Sequence, residues 1–199
     1  MNQGLRKDLI TGLIAIVAMT IVLGLLYPLA ITGVSQVFFP GPANGSKVSV
    51  DGKVVGSHLI GQEFKGKAWF HPRPSATEYS GNVTFFGNRG PNSVEVREEL
   101  REELTAYVQL NKPYDHSLSR EEVPVDAVTQ SASGVDPDIS EANASIQAHR
   151  IAAIRQLPLT KVEELISQNT DSRSLGVLGE PGVNVLELNI ALDKEAPLK

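Results

Sequence analysis

The sequence has 199 residues, with 18 Lys and Arg against 23 Asp and Glu, a formal net charge of −5 and no cysteine. The acidic balance argues against nucleic acid and anionic lipid surfaces as ligands. The missing cysteine excludes disulfides, a lipoprotein anchor and thiolate metal sites, so a domain of this length must rely on an ordinary apolar core.

The first element runs from Leu9 to Val34, and no residue between Asp8 and Lys47 is charged. A bilayer core of roughly 30 Å needs about 20 apolar residues in a helix. The run therefore predicts a transmembrane helix over 9–34, with 1–8 as a short flank. It exceeds the roughly 7–15 residues of a signal-peptide core and no Ala-x-Ala site follows, which favours an uncleaved anchor. Arg6 and Lys7 precede the run, whereas 35–46 carries no positive charge. The positive-inside rule then predicts a cytoplasmic N-terminus and an extracytoplasmic remainder. Pro28 predicts a kink or an end to the helix. Tyr27, Phe38 and Phe39 suit the outer interface. Thr11 with Ala15 and Thr20 with Gly24 are small pairs that admit a close helix neighbour, although such residues are common in any membrane helix.

Residues 35–47, with Pro40, Gly41, Pro42 and Gly45, predict a linker stiffened by proline. A domain over 48–199 follows. Asp51-Gly52 between Val48/Val50 and Val54/Val55 predicts a β-hairpin. Leu59 to Phe64 either extends its second strand or turns away. Pro72 and Pro74 bracket Arg73 and hold it on a stiff, extended segment beside His71 and Ser75. That segment reads either as a presentation loop or as a rigid structural loop whose Arg73 pairs with a carboxylate. Residues 82–93 are turn-rich. Asn92 with Glu95 predicts a capping box for a helix with Val94, Leu100, Leu104, Tyr107 and Val108 inward, ending near Pro113. Residues 114–122 read as a loop, and the alternation of Val123, Val125, Ala127 and Thr129 predicts a strand. Residues 131–137 form a turn. Ser140 predicts the cap of a helix that buries Ala142, Ile146, Ala153 and Ile154 and stops at Pro158. Thr160 with Glu163 opens a short helix burying Val162, Leu165 and Ile166. Gly176 and Gly179 frame a loop. Asn184 with Glu187 predicts a last helix burying Val185, Leu188 and Leu192, with a strand as the alternative. The fold class is α+β: one transmembrane helix followed by a single mixed extracytoplasmic domain.

The chemical motifs are mostly negative. No G-x-x-x-x-G-K-[ST] phosphate loop, G-x-S-x-G elbow, HExxH pair or D-K-T-G phosphorylation sequence occurs. His58, His71, His116 and His149 lack metal-ligand spacing. His71 and Ser75, four apart, make a poor base and nucleophile because no oxyanion donor accompanies them. One helix alone cannot form a transport pathway. The residues read as a non-catalytic, membrane-anchored exported domain within a complex, and a free-standing exported binding or sensor domain is the alternative.

Several motifs in order resemble one family across nearly the whole chain. They are Tyr27-Pro28-Leu29, Ala43 to Ser46, Gly56-Ser57 with Leu59 to Gln62, Phe70-His71 with Arg73 to Thr77, Ser131 to Asp136 with Ile139-Ser140, Gln147 and Arg150, and Val183 to Asp193. The chain resembles the C subunits of the Kdp-type potassium-transporting P-type ATPases of bacteria and archaea. It departs locally: residues 86–93 replace a Gly-Gly-Ser-Asn run, and His149 stands where proline is common. The resemblance implies an accessory subunit in the bacterial inner membrane, partnered by a channel-like potassium-translocating subunit and a P-type pump subunit. It implies no cofactor of its own, since ATP and potassium ion are handled by the complex. It also implies a chaperone-like role that raises the pump's affinity for ATP, which the predicted topology makes indirect. A cap over the outer potassium entry is the alternative role. His71, Arg73, Ser75, Gln147 and Arg150 are the candidate partner contacts.

Overall fold

The computed structural model describes residues 3–81 and 88–198, so part of the turn-rich stretch expected over 82–93 lies outside the described residues. The chain forms two units, Met1–Lys47 and Val48–Lys199.

The first unit is built on one continuous helical rod, Gln3–Phe38, none of whose most apolar stretch is buried within the chain. It consists of α1 (Gln3–Ile21), a π-helical turn (Val22–Leu26) and α2 (Tyr27–Phe38). The rod thus extends beyond the expected 9–34 at both ends, and Pro28 does not terminate it. Proline lacks an N–H, and its ring presses on the carbonyl four residues earlier. Here the preceding turn is widened: the Tyr27 N–H donates to the Val22 carbonyl five residues back. That wider turn makes room for the ring and the helix runs on. The expected linker contains the end of α2 and one further turn, α3 (Pro40–Ala43). Asn44 Nδ2 fixes this turn by donating to Pro40 O at 2.6 Å and to Gln36 Oε1 at 3.1 Å.

The second unit begins with the expected hairpin, β1 (Lys47–Val50) and β2 (Lys53–Ser57). Asp51 and Gly52 have φ of 50° and 76°, the two left-handed positions that such a tight turn requires. The chain then turns away, with Ile60 N–H donating to Ser57 O. Helix α4 (Val94–Asn111) is capped by Ser93, one residue later than expected, whose Oγ accepts from the Val96 N–H at 3.2 Å. Val94 is consequently exposed, while Leu104, Tyr107 and Val108 are half-buried.

The strand expected over 123–129 is a short 3-10 turn, Val125–Ala127. Pro124 cannot donate to a ladder, and Val125 points into solvent. Asp126 instead accepts from Ser140 N, Ser140 Oγ and Asn143 Nδ2, which locks the turn against the next helix.

The rest of the domain comprises β3 (Asp138–Ile139), α5 (Glu141–Arg155), α6 (Leu159–Gln168), β4 (Thr170–Asp171), β5 (Gly182–Asn184) and α7 (Val185–Glu195). The three short strands, of which β3 and β4 were not expected, form an antiparallel sheet ordered β3-β5-β4, with Ile139 opposite Val183 and Thr170 opposite Val183. The core lies between this sheet and helices α5 to α7, where Phe70, Ile139, Ala148, Ile151, Val162, Leu165, Val183, Leu188 and Leu192 pack together.

Ser140 caps α5 and Asn184 caps α7 as expected, each accepting from the N–H three residues on, at 3.1 Å. Helix α6 instead starts at Leu159 behind Pro158, with no side-chain cap, so the expected Thr160 box does not form. The α7 sequence is a helix, and the strand alternative is confined to Gly182–Asn184 just before it.

The buried face of α5 is not the expected one. Ala142 and Ala153 are exposed, and Ile146 and Ile154 are half-buried. The buried side combines Ala144, Ala148, Ile151 and Ala152 with Asn143, Gln147, Arg150 and Arg155. A helix that buries four polar side chains has little apolar periodicity to read, and what those side chains bind defines the site.

Candidate functional site

The segment Gly66–Pro74 begins in a turn over 66–69 and runs on without regular structure to Pro74, and among the described residues no strand pairs with it. Side chains supply its hydrogen bonds instead. Asn189 of α7 accepts from the Phe70 N–H at 2.9 Å and donates to the Phe70 carbonyl at 3.0 Å. Gln147 of α5 does the same to His71, at 2.8 and 2.9 Å. Each amide reproduces the donor and acceptor of one residue in a β-ladder. Arg150 donates to the carbonyls of Lys67 and Trp69, and Arg155 Nε donates to Ala68 O at 3.0 Å. The Arg155 guanidinium carbon also lies 4.4 Å from the centre of the Trp69 ring. Phe70, fully buried, anchors the strap in the core.

Arg150 is 0% and Gln147 1% exposed. Both were expected as candidate contacts, and neither has surface to offer a partner from this domain. They act from beneath, seating His71 and its neighbours. Arg150 is a buried cation whose hydrogen-bond partners are all neutral: Asn111 Oδ1, Gln147 Oε1 and the two carbonyls. Burial lowers its pKa to about 10, opposed by Tyr107 and Tyr114, so it stays charged. His71 Nε2 donates to the Gly66 carbonyl at 2.8 Å. Burial lowers the His71 pKa, the Gly66 bond opposes this, and Arg150 lowers it further. The ring is therefore neutral at pH 7.

Arg73 forms an ion pair with Asp136, Nη1 to Oδ2, at 2.9 Å, and the two side chains are 25% and 28% exposed. Its Nη2 also reaches Thr129 Oγ1 at 3.3 Å. Of the two readings of Arg73, the carboxylate-paired loop is the arrangement present in this chain. Tyr79 closes the loop by donating its hydroxyl to the Arg73 carbonyl, and burial raises its pKa far above the usual phenol range.

Ser75 Oγ donates to Gly134 O at 2.6 Å and accepts from the N–H groups of Thr77 and Tyr79. It ties the strap to the 131–136 turn and is not bonded to His71, so the two do not form a nucleophile and base. Gly134 has φ +71°, and a Cβ there would lie 2.6 Å from Thr77 Oγ1, so only glycine fits. Gly61 is equally constrained, since a Cβ would lie 2.3 Å from the Asp136 carbonyl oxygen.

The strap thus brings His71, Arg73 and Ser75 to one wall of a cleft of about 340 Å³, whose other walls include Glu63, Glu78, Glu103 and Tyr107. The carboxyl of Glu103 has a raised pKa, chiefly from burial and then from Glu102 and Glu99. Among the described residues no group of three or more His, Asp or Glu is placed to hold a metal ion. Sequence reasoning missed Asn111, Asp136, Arg155 and Asn189. The available signal was Asn189 within the otherwise apolar 188–192 run, and polar residues recurring at helical spacing in α5.

These elements coincide with a family described as KdpC: K+-transporting ATPase, c chain, whose model matches residues 9–194. The chain belongs to the KdpC family. A potassium-transporting ATPase KdpC subunit of Mycobacterium tuberculosis is 44% identical over 192 residues, covering 96% of this chain and 100% of its own length. The KdpC subunit of Streptomyces coelicolor is 44% identical over 201 residues, covering 91% and 89%, and that of Koribacter versatilis is 40% identical over 196 residues, covering 98% of each. The match spans both the apolar rod and the domain that holds the strap.

Proposed function

We propose that this protein is the single-span accessory subunit of an ATP-driven potassium importer, needed for assembly and activity, with a channel-like translocating subunit and a P-type pump subunit as partners. Its α+β domain stands on the extracytoplasmic side of the inner membrane, and its surface meets those partners there. The observation that carries this reading is the 36-residue helical rod. Arg6 and Lys7 precede its apolar run and no charge interrupts it up to Lys47. ATP is then on the opposite side of the membrane from the domain. Any effect on the pump's affinity for ATP passes through the rod, by biasing the membrane helices it packs against. That relatives such as those of Mycobacterium tuberculosis and Streptomyces coelicolor are KdpC subunits of potassium-transporting ATPases supports the assignment.

Protease added to intact spheroplasts tests the topology. Digestion beyond Pro40 is expected. Protection until lysis would refute the orientation and bring direct contact with ATP back into play. Co-purification of the full chain in mild detergent with the subunits of its ATPase tests the accessory role, and its absence would favour the free-standing exported domain.

A further inference from the structure

The loop joining β4 to β5 holds three aliphatic side chains in solvent: Leu175 is 90%, Val177 73% and Leu178 59% exposed. Single apolar residues scattered over a surface are ordinary, but three within four positions are a patch. The loop is internally braced. Ser174 and Leu178 exchange both backbone hydrogen bonds at 2.9 Å, and Gly176 N–H donates to Arg173 O at 2.9 Å. At its tip Leu175 has φ +55° and Gly176 φ +76°, a turn in which Asn or Gly is the favoured first residue. Leucine is unfavourable there twice over, by conformation and by exposure. At its base Arg173 Nη2 meets Glu180 Oε2 at 2.7 Å, so the two charges cancel. His58 Nε2 lies 3.5 Å from Asp171, which brings the exposed Leu59 and Ile60 to the same neighbourhood.

We propose that this loop is a docking finger that inserts Leu175, Val177 and Leu178 into an apolar socket on another protein subunit of the ATPase. The inference rests on the accessory-subunit reading above. Charge favours a protein over the bilayer. Arg173 is the one basic residue in 170–182 and is already paired, while Asp138, Asp171 and Glu187 stand near the loop's base around His58. Those carboxylates oppose an anionic headgroup layer. They complement a socket whose rim is basic. A finger held by its own backbone hydrogen bonds also loses little freedom on docking.

The test uses the full chain co-expressed with the other subunits of its ATPase. A photo-crosslinking residue at position 175 is expected to attach to a protein subunit. A double variant, Leu175→Asp with Val177→Asp, is expected to reduce co-purification about tenfold, as loss of a central apolar anchor does. Leu175→Asn guards against misfolding: it suits the turn, so the chain should melt no lower than wild type and still dock more weakly. Crosslinks to lipid alone, or flotation of wild type with phosphatidylglycerol vesicles that the double variant abolishes, would overturn the proposal in favour of the bilayer. Undiminished co-purification of both variants would overturn it while leaving the accessory-subunit reading intact. Failure of the wild-type chain to co-purify would sink that reading itself.

Discussion

Truncating Gln147 to alanine removes four hydrogen bonds at once: two to the His71 backbone, one to Asn143 Oδ1 and one from Arg150 Nη2, all between 2.8 and 2.9 Å. It leaves the His71 N–H and carbonyl and one Arg150 donor without partners in a place with almost no solvent. Each such group costs about 1–3 kcal/mol, and partial entry of water reduces the sum. A total of roughly 3–5 kcal/mol is expected. In a domain of this size 1 kcal/mol shifts the midpoint by about 2–4 °C, so melting should fall by roughly 6–20 °C. The assay is thermal unfolding of the full chain in mild detergent, followed by tryptophan fluorescence. Trp69 is the single tryptophan and lies on the strap itself. Gln168→Ala is the control, since that exposed glutamine bonds only Glu164, and it should melt within about 2 °C of wild type. If Gln147→Ala melts as the control does, with unchanged Trp69 emission, the side-chain ladder does not hold the strap.

Other outcomes follow from the same geometry. Arg73→Ala should lower stability by about 1–2 kcal/mol, between the values for exposed and buried pairs, and adding Asp136→Asn should recover part of the loss in a double-mutant cycle. An equal and additive loss from each change would show that the pair is not coupled. His71 is held neutral, because burial lowers its folded pKa below the ordinary histidine value, so the unfolded chain takes up its proton first on acidification. Stability should therefore decline as pH falls below about 6.5, and His71→Gln should flatten that limb of a melting-temperature profile. Burial, then Asp136 and Asp171, raise the pKa of Asp138, so its carboxylate destabilises the fold at neutral pH. Asp138→Asn should raise the melting temperature at pH 7 and confer no gain at pH 3, where the carboxyl is already protonated; the reverse pattern would contradict the cause assigned. Gly61→Ala would force a Cβ into the Asp136 carbonyl oxygen and should cost several kcal/mol, visible as loss of folded yield.

Where hydrophobic pattern or turn chemistry dictates structure, the sequence was legible. The uncharged 9–34 run, the Asp51-Gly52 hairpin and the caps at Ser140 and Asn184 are local signals, and local hydrogen bonding enforces them. The misses occurred where tertiary partners override local preference. Val123 to Thr129 alternates like a strand, but Asp126 is held by Ser140 and Asn143, and Pro124 blocks a ladder. The inward face of α5 does not follow apolarity, because here amides and guanidinium groups face inward to meet a strap that is remote in the chain. The Pro72-Arg73-Pro74 stiffness was readable. That Asp136 awaited Arg73 was not, because no rule of spacing links residues so far apart.

The partners that hold the strap are far from it along the chain: 76 residues separate His71 from Gln147, and 119 separate Phe70 from Asn189. Closing loops of that length costs entropy before any bond repays it. Neither amide can be placed until α5 and α7 exist and have packed on the sheet. Loop-closure entropy therefore favours late closure of the strap during folding. Ribosomal order sharpens the point. Residues 66–74 emerge long before residue 189, and the domain has to wait for nearly its whole length, with Trp69 and Phe70 uncovered, before its last fastening can form.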